Sequence, residues 1–423
     1  MRRIMYYVWC LLLLCGNVGC AVQSSAYYVR ERRSTLPSPS TTTKRAAVVT
    51  AITPKLALQA EELVKNGTYP GVAIGIVLDQ VLLWTYQAGT KNVETLEPIS
   101  KDTCFRMASI TKTFTALAVL ALRDEGKLNL DESIAKTVPQ ANQWLRPTSD
   151  SPDISWRHLL THTSGLPRVG PIDFTRTDVG PTADILENQL RVIQLVSSPG
   201  TETRYSNLGY AILGLAISKQ TGRPYEDIIE EKFLTPLKMR NAGFSPTDCS
   251  DIAQGYRRTR GDSTTRFVRQ ADWKFGATSA VGGLYASTQA ITQWLAYQMA
   301  AWPPRNGEEA HEVSRATRRE SHRLGGFTHP GQPSFGLGWG IATFGRNRDV
   351  LASHSGSTWT WGASVRMLVD RNIGIIALGN SGGSAALSQF TIQALHLIDS
   401  ELAEHGVARP PHSRARRSPI RQR

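Results

Sequence analysis

The stretch CFRMASITKTFTALAVLALRDEG, residues 104–126, combines an apolar helix with two reactive side chains at its start. Apolar residues follow one another almost without interruption over 114–122, which predicts a helix buried on nearly all sides. Gly126 suits the position just after this helix, because glycine adopts a left-handed backbone there without steric strain. Ser109 and, three residues later, Lys112 lie in the first turn. A lysine at the mouth of a buried helix, one turn from a serine, needs an explanation.

The spacing of Ser109 and Lys112 offers one. Residues three apart on a helix share a face, so both side chains can point into one pocket. A serine hydroxyl becomes a good nucleophile when a base takes its proton. Burial penalises the charged form of a lysine, which lowers the pKa of its amine toward that of a usable base. The helix N-terminus adds N–H groups where an oxyanion would form. These are the parts of an acyl-transfer site, but a capping serine beside a solvent-reaching lysine would give the same S-x-x-K pattern.

Two further stretches place polar residues at the starts of predicted elements. TRYSNLGYAILG (203–214) has Tyr205 and Asn207 at the entrance of a helix, and SHSGSTWTW (353–361) has His354 and Gly356 at the start of a strand-like segment. The order Ser-x-x-Lys, Tyr-x-Asn, His-x-Gly resembles the serine β-lactamase-like superfamily. That superfamily includes class C β-lactamases, DD-peptidases, penicillin-recognising esterases and D-amino-acid peptidases and amidases. RHLLTHTSGLP (157–167), GGLYAST (282–288) and FGLGWG (335–340) also resemble its recurrent segments, so the resemblance spans roughly residues 55–400.

The resemblance implies roles for the first two motifs. Ser109 would be the nucleophile, and Lys112 would be its base or the group that holds it. Tyr205 would relay a proton to the leaving group. Asn207 would hold Lys112 and the amide of the substrate. A capping explanation does not account for this ordered set.

The third motif departs from the lactamase pattern. Lactamases usually carry Lys-Thr-Gly there, whereas this chain has His354-Ser355-Gly356. The resemblance places His354 beside Tyr205, and the backbone N–H groups of Ser109 and Ser357 in the oxyanion hole. Gly356 would let the substrate approach an edge strand closely. A histidine is only partly charged at neutral pH, so it would bind a substrate carboxylate less firmly than a lysine. This favours an esterase, amidase or peptidase over an efficient lactamase.

The fold class follows from the order of the elements. Strand-like segments occur at 71–89 and again from 335 to 379, and the stretch between them, from about 127 to 275, is turn-rich and helical. This predicts an α+β fold in which an antiparallel sheet flanked by helices is built from both chain ends and carries an inserted, mainly helical lobe. The catalytic domain is predicted over 53–404. A polar stretch, 303–333, indicates a surface insertion that contains three solvated histidines (His311, His322 and His329).

Charge is concentrated at the two ends of the chain. The net charge is +13. Residues 1–50 hold seven basic residues and one acidic residue, and 405–423 hold six arginines and no acidic residue. The body is therefore nearly neutral, which argues against nucleic-acid binding by the fold. Residues 22–52 read as a flexible linker, and 405–423 as a basic disordered tail.

The first 21 residues have the parts of an export signal: two arginines, an apolar run and small residues. NVGC, ending at Cys20, resembles a bacterial lipoprotein box, so the leader is either cleaved or anchors the chain to a membrane. A mitochondrial targeting segment is the alternative, because the first fifty residues are rich in Arg, Ser and Thr. We therefore expect a secreted or cell-envelope protein.

Outside the leader the chain has two cysteines, Cys104 and Cys249, which leaves open whether they pair. No metal-ligand cluster is expected, and His158 and His162 are interpreted as structural despite their i, i+4 spacing. The predicted chemistry needs no cofactor, and the expected partner is a small-molecule or peptide substrate. The sequence gives no oligomeric state.

Three questions stay open at this point. GNSGG (379–383) matches the G-x-S-x-G pattern of α/β-hydrolases around Ser381, but no acid and histidine follow on later strands. Trp359 and Trp361, two apart, would face the same side, either in the core or in the substrate cleft. A non-catalytic binder of peptidoglycan or peptides with the same fold is the alternative to a secreted serine hydrolase that forms an acyl-enzyme.

Overall fold

The computed structural model describes residues 38–171, 179–260, 265–271, 274–307, 309, 311, 313–326, 334–345 and 348–407. The predicted leader, the first part of the linker and nearly all of the predicted basic tail lie outside these ranges. Over the ranges that are described, no helix is both long and apolar enough to cross a membrane.

The described residues form ten α-helices and eleven β-strands. The α-helices are α1 (Pro39–Lys65), α2 (Thr111–Asp124), α3 (Trp156–Leu160), α4 (Ala183–Gln189), α5 (Asn207–Thr221), α6 (Tyr225–Ile229), α7 (Ser279–Gly282), α8 (Thr288–Met299), α9 (Arg315–Ser321) and α10 (Ala385–Glu404). The strands are β1 (Gly71–Leu78), β2 (Val81–Gly89), β3 (Cys104–Arg106), β4 (Ala242–Gly243), β5 (Tyr256–Arg260), β6 (Thr265–Arg269), β7 (Tyr285–Ser287), β8 (Gly340–Phe344), β9 (Asp349–Ser357), β10 (Gly362–Leu368) and β11 (Ile373–Gly379).

The main sheet has six antiparallel strands in the order β2-β1-β11-β10-β9-β8. The first two come from the N-terminal part of the chain and the other four from the C-terminal part, so the sheet is built from both ends as predicted. The turn of the β1–β2 hairpin is Asp79-Gln80, with φ values of 50° and 71°, the backbone that a two-residue hairpin turn requires. The α+β fold class is confirmed.

The central strands are apolar throughout because both faces of the sheet are covered. Val72 and Ile74 of β1 pack with α1 and α10 on one face. Ala73 packs into the larger core on the other face, which includes α2, α5 and α8. The same alternation holds in β11, where Ile375 and Ile376 belong to different cores. Each residue of these strands is therefore removed from water, and a run such as GVAIGIVL is what such a position demands.

The linker predicted over 22–52 is wrong from Pro39 onward, where α1 begins. Ser38 caps the helix and Pro39 occupies its first position, the place in a helix that tolerates proline. Pro54 inside the helix cannot donate to the Thr50 carbonyl, and the Thr53 hydroxyl donates to that oxygen instead, at 2.9 Å. A Thr-rich start and an internal proline are not typical of a helix, so the sequence did not predict α1, whose inner face is buried against the sheet.

Buried charge anchors α1 to the sheet. The Arg45 guanidinium lies 3.1 Å from an Asp79 carboxylate oxygen in the β1–β2 turn and donates to the Arg371 carbonyl at 2.6 Å. Both side chains of the ion pair are nearly inaccessible to solvent. An arginine in a stretch interpreted as linker is thus part of the folded domain.

The lobe predicted over 127–275 contains α3 to α6, as expected, but also the β5–β6 hairpin. Half of the ten strand positions of this ribbon are arginines, and its described side chains are largely exposed. It therefore lacks the apolar alternation from which strands are predicted.

The stretch 303–333 is less of a surface insertion than predicted. Its helix α9 is joined to the end of α2, where Arg123 lies 2.8 Å from Glu320 and the Thr317 hydroxyl donates to Asp124 at 2.6 Å. His322 is 1% exposed, and burial lowers its pKa to about 3. The prediction of a solvated His322 is wrong. His311 is half-buried, and His329 lies outside the described residues.

The two body cysteines are joined. Cys104 in β3 and Cys249 form a disulfide, with their Cα atoms 6.2 Å apart. The bond links the strand that leads into Ser109 to a loop of the inserted lobe. This answers the pairing question that the sequence left open.

Candidate active site

Ser109 and Lys112 form a hydrogen-bonded pair between the lobe and the sheet. Ser109 lies in a short 3₁₀ turn, Ala108–Ile110, and Lys112 is the second residue of α2. The Lys112 Nζ lies 3.0 Å from Ser109 Oγ. Lys112 is completely buried, and burial lowers the pKa of its amine well below the ordinary value, with a further contribution from the charge of Arg168. A neutral amine at this distance can accept the serine proton.

A backbone carbonyl holds the other side of the lysine. Lys112 Nζ donates to the Val281 carbonyl of α7 at 2.7 Å. The carbonyl of the preceding residue, Ala280, accepts from the Thr115 hydroxyl at 2.9 Å, and Thr115 also bonds the Tyr225 hydroxyl at 2.8 Å. These contacts fix α7 against α2, so Val281 orients the amine. Sequence reasoning missed Val281 because any residue type can supply a carbonyl.

Tyr205 lies beside the pair, on the loop that enters α5. Its ring centroid is 5.2 Å from Lys112 Nζ. Burial raises the pKa of the Tyr205 phenol to about 12, opposed by its hydrogen bond to Ser109 and by the charge of Arg168. At neutral pH the phenol keeps its proton and can donate it. Tyr205 is therefore suited to be a proton donor or relay near Ser109.

The His162 ring packs against the Tyr205 ring. The two ring centroids are 4.3 Å apart, and His162 Nδ1 accepts from the Ser206 backbone N–H at 3.1 Å. Burial lowers the pKa of His162 well below its usual value. The interpretation of His162 as structural fits these contacts, but its place directly under Tyr205 was not predicted. In the described part of the chain, no group of three or more His, Cys, Asp or Glu side chains is arranged to hold a metal.

His354 faces Tyr205 from β9, with ring centroids 6.2 Å apart. Burial lowers the pKa of His354 to about 3. Burial therefore favours a neutral ring at neutral pH, in place of the partial charge predicted from the sequence. His354 Nδ1 bonds the Ser355 carbonyl at 2.8 Å, which assigns its proton to Nδ1. The buried Nε2 has no hydrogen-bond partner among the described residues, so it presents a lone pair.

Gly356 and Ser357 end β9 next to the Ser109 turn. The pairing of β9 with the edge strand β8 stops at Ser353. From His354 onward, β8 therefore makes no backbone pairing with the outer edge of β9. A Cβ on Gly356 would lie 2.2 Å from the Met107 carbonyl oxygen. The chain that leads to Ser109 thus requires the glycine, and the expected approach of a substrate to Gly356 stays a prediction. Ser357 is exposed at the end of the strand, opposite Gly362.

Asn207 does not make the contact expected of it. The hydrogen bonds of Lys112 Nζ go to Ser109 and Val281. The Asn207 side-chain oxygen is buried and lacks a hydrogen-bond partner in the described structure. Asn207 begins α5, one residue after its Ser206 cap, and its backbone N–H donates to the Arg168 carbonyl at 2.8 Å. The expected amide contact of Asn207 with a substrate remains a prediction.

These residues surround a cleft of about 450 Å³. Its lining residues are Ser109, Arg168, Thr203, Tyr205, Phe335, Gly340, Ser353, His354 and Ser355. The set includes one arginine and no carboxylate. Arg168 was not singled out from the sequence, because it follows THTSGLP in a loop without periodicity. Its guanidinium lies 5.1 Å from the centroid of the Tyr205 ring.

The two tryptophans after Gly356 point in different directions, so the prediction that they share a side is wrong. The chain turns between β9 and β10, and the Thr358 N–H donates to the Trp361 carbonyl at 3.0 Å. Trp361 is 3% exposed and packs edge-on against Phe105. Trp359 is 54% exposed. The prediction assumed a β-strand, in which side chains two residues apart face the same side, but the two tryptophans lie in a turn.

The rival serine, Ser381, is fully buried and its hydroxyl has no hydrogen-bond partner in the described residues. A hydroxyl without a base is a poor nucleophile. Only Ser109, of the two candidate serines, contacts an amine and lines a cleft.

Comparison with known proteins decides the family. The Beta-lactamase family model matches residues 57–399, most of the chain. The chain belongs to this family. Members of the family are generally serine hydrolases, although some are non-catalytic.

Individual relatives are distant. Protein flp of Staphylococcus aureus is 27% identical over 351 residues, which cover 82% of this chain but only 65% of that protein. The chain thus spans less than two thirds of that relative. The octameric penicillin-binding protein homologue of Pyrococcus abyssi superposes with a TM-score of 0.69 at 27% identity, over 82% of this chain and 77% of that one. A β-lactamase/D-alanine carboxypeptidase of Yersinia pestis has the same fold, with a TM-score of 0.67 at 22% identity, over 83% and 99% of the two chains.

Proposed function

We propose that this protein is a serine hydrolase that forms an acyl-enzyme on Ser109. The observation that carries the proposal is the buried Lys112 amine, 3.0 Å from Ser109 Oγ and with a lowered pKa. An exposed lysine would be protonated at neutral pH and unable to act as a base. Burial at the start of α2 favours the neutral form of the amine, which can accept a proton.

The first half of the reaction follows from the contacts. Lys112 Nζ takes the hydroxyl proton as Ser109 Oγ attacks the carbonyl carbon of the substrate. The backbone N–H groups of Ser109 and Ser357 stabilise the oxyanion that forms. The tetrahedral intermediate collapses, the bond to the leaving group breaks, and the leaving group takes a proton from the Tyr205 phenol. Lys112 returns its proton to Tyr205.

The second half reverses these roles. Water attacks the carbonyl carbon of the acyl group, and the Lys112 amine accepts the proton of that water. The bond between this carbon and Ser109 Oγ breaks, Lys112 returns the proton to Ser109 Oγ, and the acid product leaves. The buried oxygen of Asn207 and the Nε2 lone pair of His354 are unsatisfied acceptors, which suits them to N–H or O–H groups of a substrate.

The substrate is a small ester, an amide or a D-amino-acid peptide. A penicillin-binding protein homologue and a β-lactamase/D-alanine carboxypeptidase share the fold, which supports an acyl-transfer substrate of this kind. The neutral His354 in place of the lysine of lactamases argues against efficient β-lactam hydrolysis. The leader and the Cys104–Cys249 disulfide support an extracytoplasmic location, because disulfides persist in oxidising compartments.

Mass spectrometry tests the proposal. The protein is incubated with a fluorophosphonate and, separately, with a penicillin, as wild type, Ser109→Ala and Ser381→Ala. We expect one adduct on Ser109 in the wild type and in Ser381→Ala, and none in Ser109→Ala. A penicillin adduct that clears slowly would favour the peptidase or esterase branch over a lactamase.

Two results would overturn the proposal. An adduct on Ser381 would mean that the wrong serine has been chosen. No adduct on a folded wild type would favour the non-catalytic binder.

A further inference from the structure

Arg168 is a positive charge that lines the cleft, and the described residues place no opposite charge beside it. No carboxylate lies within salt-bridge distance of its guanidinium over the ranges that the structure describes, and no carboxylate is among the residues that line the cleft. Other arginines of the lobe do have carboxylate partners: Arg157 lies 2.6 Å from Asp131, and Arg204 lies 2.9 Å from Glu202. An unpaired arginine that lines a pocket is available for an anionic ligand.

The backbone holds Arg168 in place. Its carbonyl accepts the N–H groups of Asn207 and Leu208 at 2.8 and 3.2 Å. The neighbouring Pro167 carbonyl accepts the Ser206 hydroxyl at 2.8 Å. The loop is thus tied to the start of α5, the segment that carries Tyr205 and Asn207. Little ordering of the backbone is needed when a ligand binds, which favours affinity.

Burial disfavours the charged forms of the other basic groups beside the cleft. Lys112 and His354 are buried with lowered pKa values. The charge of Arg168 acts on the site, because it contributes to lowering the pKa of Lys112, His162 and Tyr205. An anion entering the cleft therefore meets one cation, and that cation is on the lobe wall rather than on β9.

We infer that Arg168 is the residue that selects substrates carrying a carboxylate, which it binds as an ion pair beside Tyr205. Guanidinium and carboxylate form two parallel hydrogen bonds, a geometry that a lysine cannot reproduce. The inference rests on the proposed function for the reaction that follows binding. The ion pair between Arg168 and the carboxylate forms whether or not a bond of the substrate is then cleaved. Because the guanidinium lies against Tyr205, the carboxylate lies in the part of the substrate next to that phenol.

A matched pair of thioesters tests the inference. One is an N-acylglycyl thioester of thioglycolic acid, and the other is the corresponding thioester of thioglycolamide, which lacks the negative charge. Hydrolysis releases a thiol that is measured directly. Arg168→Gln, Arg168→Lys and, as a control with the same loss of charge, Arg223→Gln are compared with the wild type. Arg223 lies outside the cleft and is paired with Glu231.

We expect Arg168→Gln to lower kcat/KM for the carboxylate thioester by about 10- to 100-fold, the size of a charge-assisted contact. The neutral thioester should change less than about 3-fold. Arg168→Lys should recover only part of the loss, and Arg223→Gln should behave as wild type. An equal loss on both thioesters, or no loss on either, would overturn the inference.

Binding separates this inference from the proposed function. Calorimetry on Ser109→Ala, which cannot acylate, measures the affinity of both thioesters directly. We expect the carboxylate compound to bind at least about 10-fold more tightly, and Ser109→Ala/Arg168→Gln to lose that preference. If the wild type hydrolyses neither compound but the preference is present, the reaction is wrong and the anion site is right. If Ser109→Ala shows no preference, the anion site is wrong whether or not hydrolysis occurs.

Discussion

The two walls of the cleft differ in what they contribute. The lobe wall, together with the start of α2, carries Lys112, Tyr205 and Arg168, which supply the base, a proton donor and a charge. The sheet wall is the end of β9, where burial lowers the pKa of His354 and Gly356 packs against the chain before Ser109. The proton-transfer groups and the charge are thus concentrated on one wall. Changes to that wall should alter rates and pH profiles, whereas changes to the sheet wall should act through packing and hydrogen bonding and leave the pH profile in place.

Loss of the base should have the largest effect. Lys112→Met removes the proton acceptor while keeping an apolar stem, and we expect kcat/KM to fall by about 10³-fold or more. Steady-state hydrolysis of the thioester that the wild type cleaves measures this. Lys127→Met, which changes an exposed lysine paired with Glu125, should stay within about 2-fold of wild type. A Lys112→Met enzyme with a tenth of wild-type activity would contradict the role of the amine.

Gly356→Ala should be next, and its effect should be on the fold as well as on the rate. The new methyl group would lie 2.2 Å from the Met107 carbonyl oxygen, so β9 or the Ser109 turn must move. We expect a stability loss of about 1–3 kcal/mol, as in other overpacked cores, measured by denaturant unfolding. Gly209→Ala is the control, because its methyl group would meet its nearest atom at 3.5 Å, an ordinary contact. Unchanged stability and activity in Gly356→Ala would show that the two segments are not packed as described.

His354→Asn should lower the rate without moving the acid limb of the pH–rate profile. The pKa of His354 is about 3, so its ring does not titrate in the range where the enzyme is assayed. We expect a loss of less than about 10-fold, because the Asn side-chain oxygen can accept a hydrogen bond but does not reach as far as Nε2. A shift of the acid limb in this variant would mean that His354 titrates and that the sheet wall also carries charge.

Of these four substitutions, Arg168→Gln should change the rate on a neutral substrate least. The direction in which it shifts the pH–rate profile can still be predicted. The Arg168 charge helps to lower the pKa of Lys112. Its removal raises that pKa, and the base must be unprotonated to act. The acid limb of kcat/KM should therefore move to higher pH. Profiles of wild type and variant on the thioglycolamide thioester check this, and a shift to lower pH would contradict it.

The parts of the site that depend on residue type were predictable from the sequence. Ser109 and Lys112 lie at a helical spacing before an apolar run, and Tyr205 and His354 belong to the motifs that carry the family resemblance. The structure brings these four side chains together. The backbone carbonyl of Val281 was not predictable, because it comes from a residue 169 positions away and any amino acid has one. The burial of His354, which lowers its pKa, could not be predicted from the sequence pattern either.

The errors in the fold have a common physical cause. Helix α1 begins in a Thr-rich stretch and contains Pro54, and Trp359 and Trp361 were assigned to a strand that ends before them. In each case a local pattern was overridden by contacts with distant residues. Arg45 binds the β1–β2 turn, and Trp361 packs on Phe105. By contrast, β1 and β11 were predictable because burial on both faces makes their sequences apolar throughout.

The central claim is that a neutral Lys112 activates Ser109. The most direct test is the rate of Ser109 labelling by a fluorophosphonate as a function of pH, measured by intact-protein mass spectrometry. We expect fast labelling at neutral pH, with a rate that falls only as the pH drops through the lowered pKa of Lys112. A rate that climbs steadily until about pH 10, the range of an ordinary lysine, would contradict it.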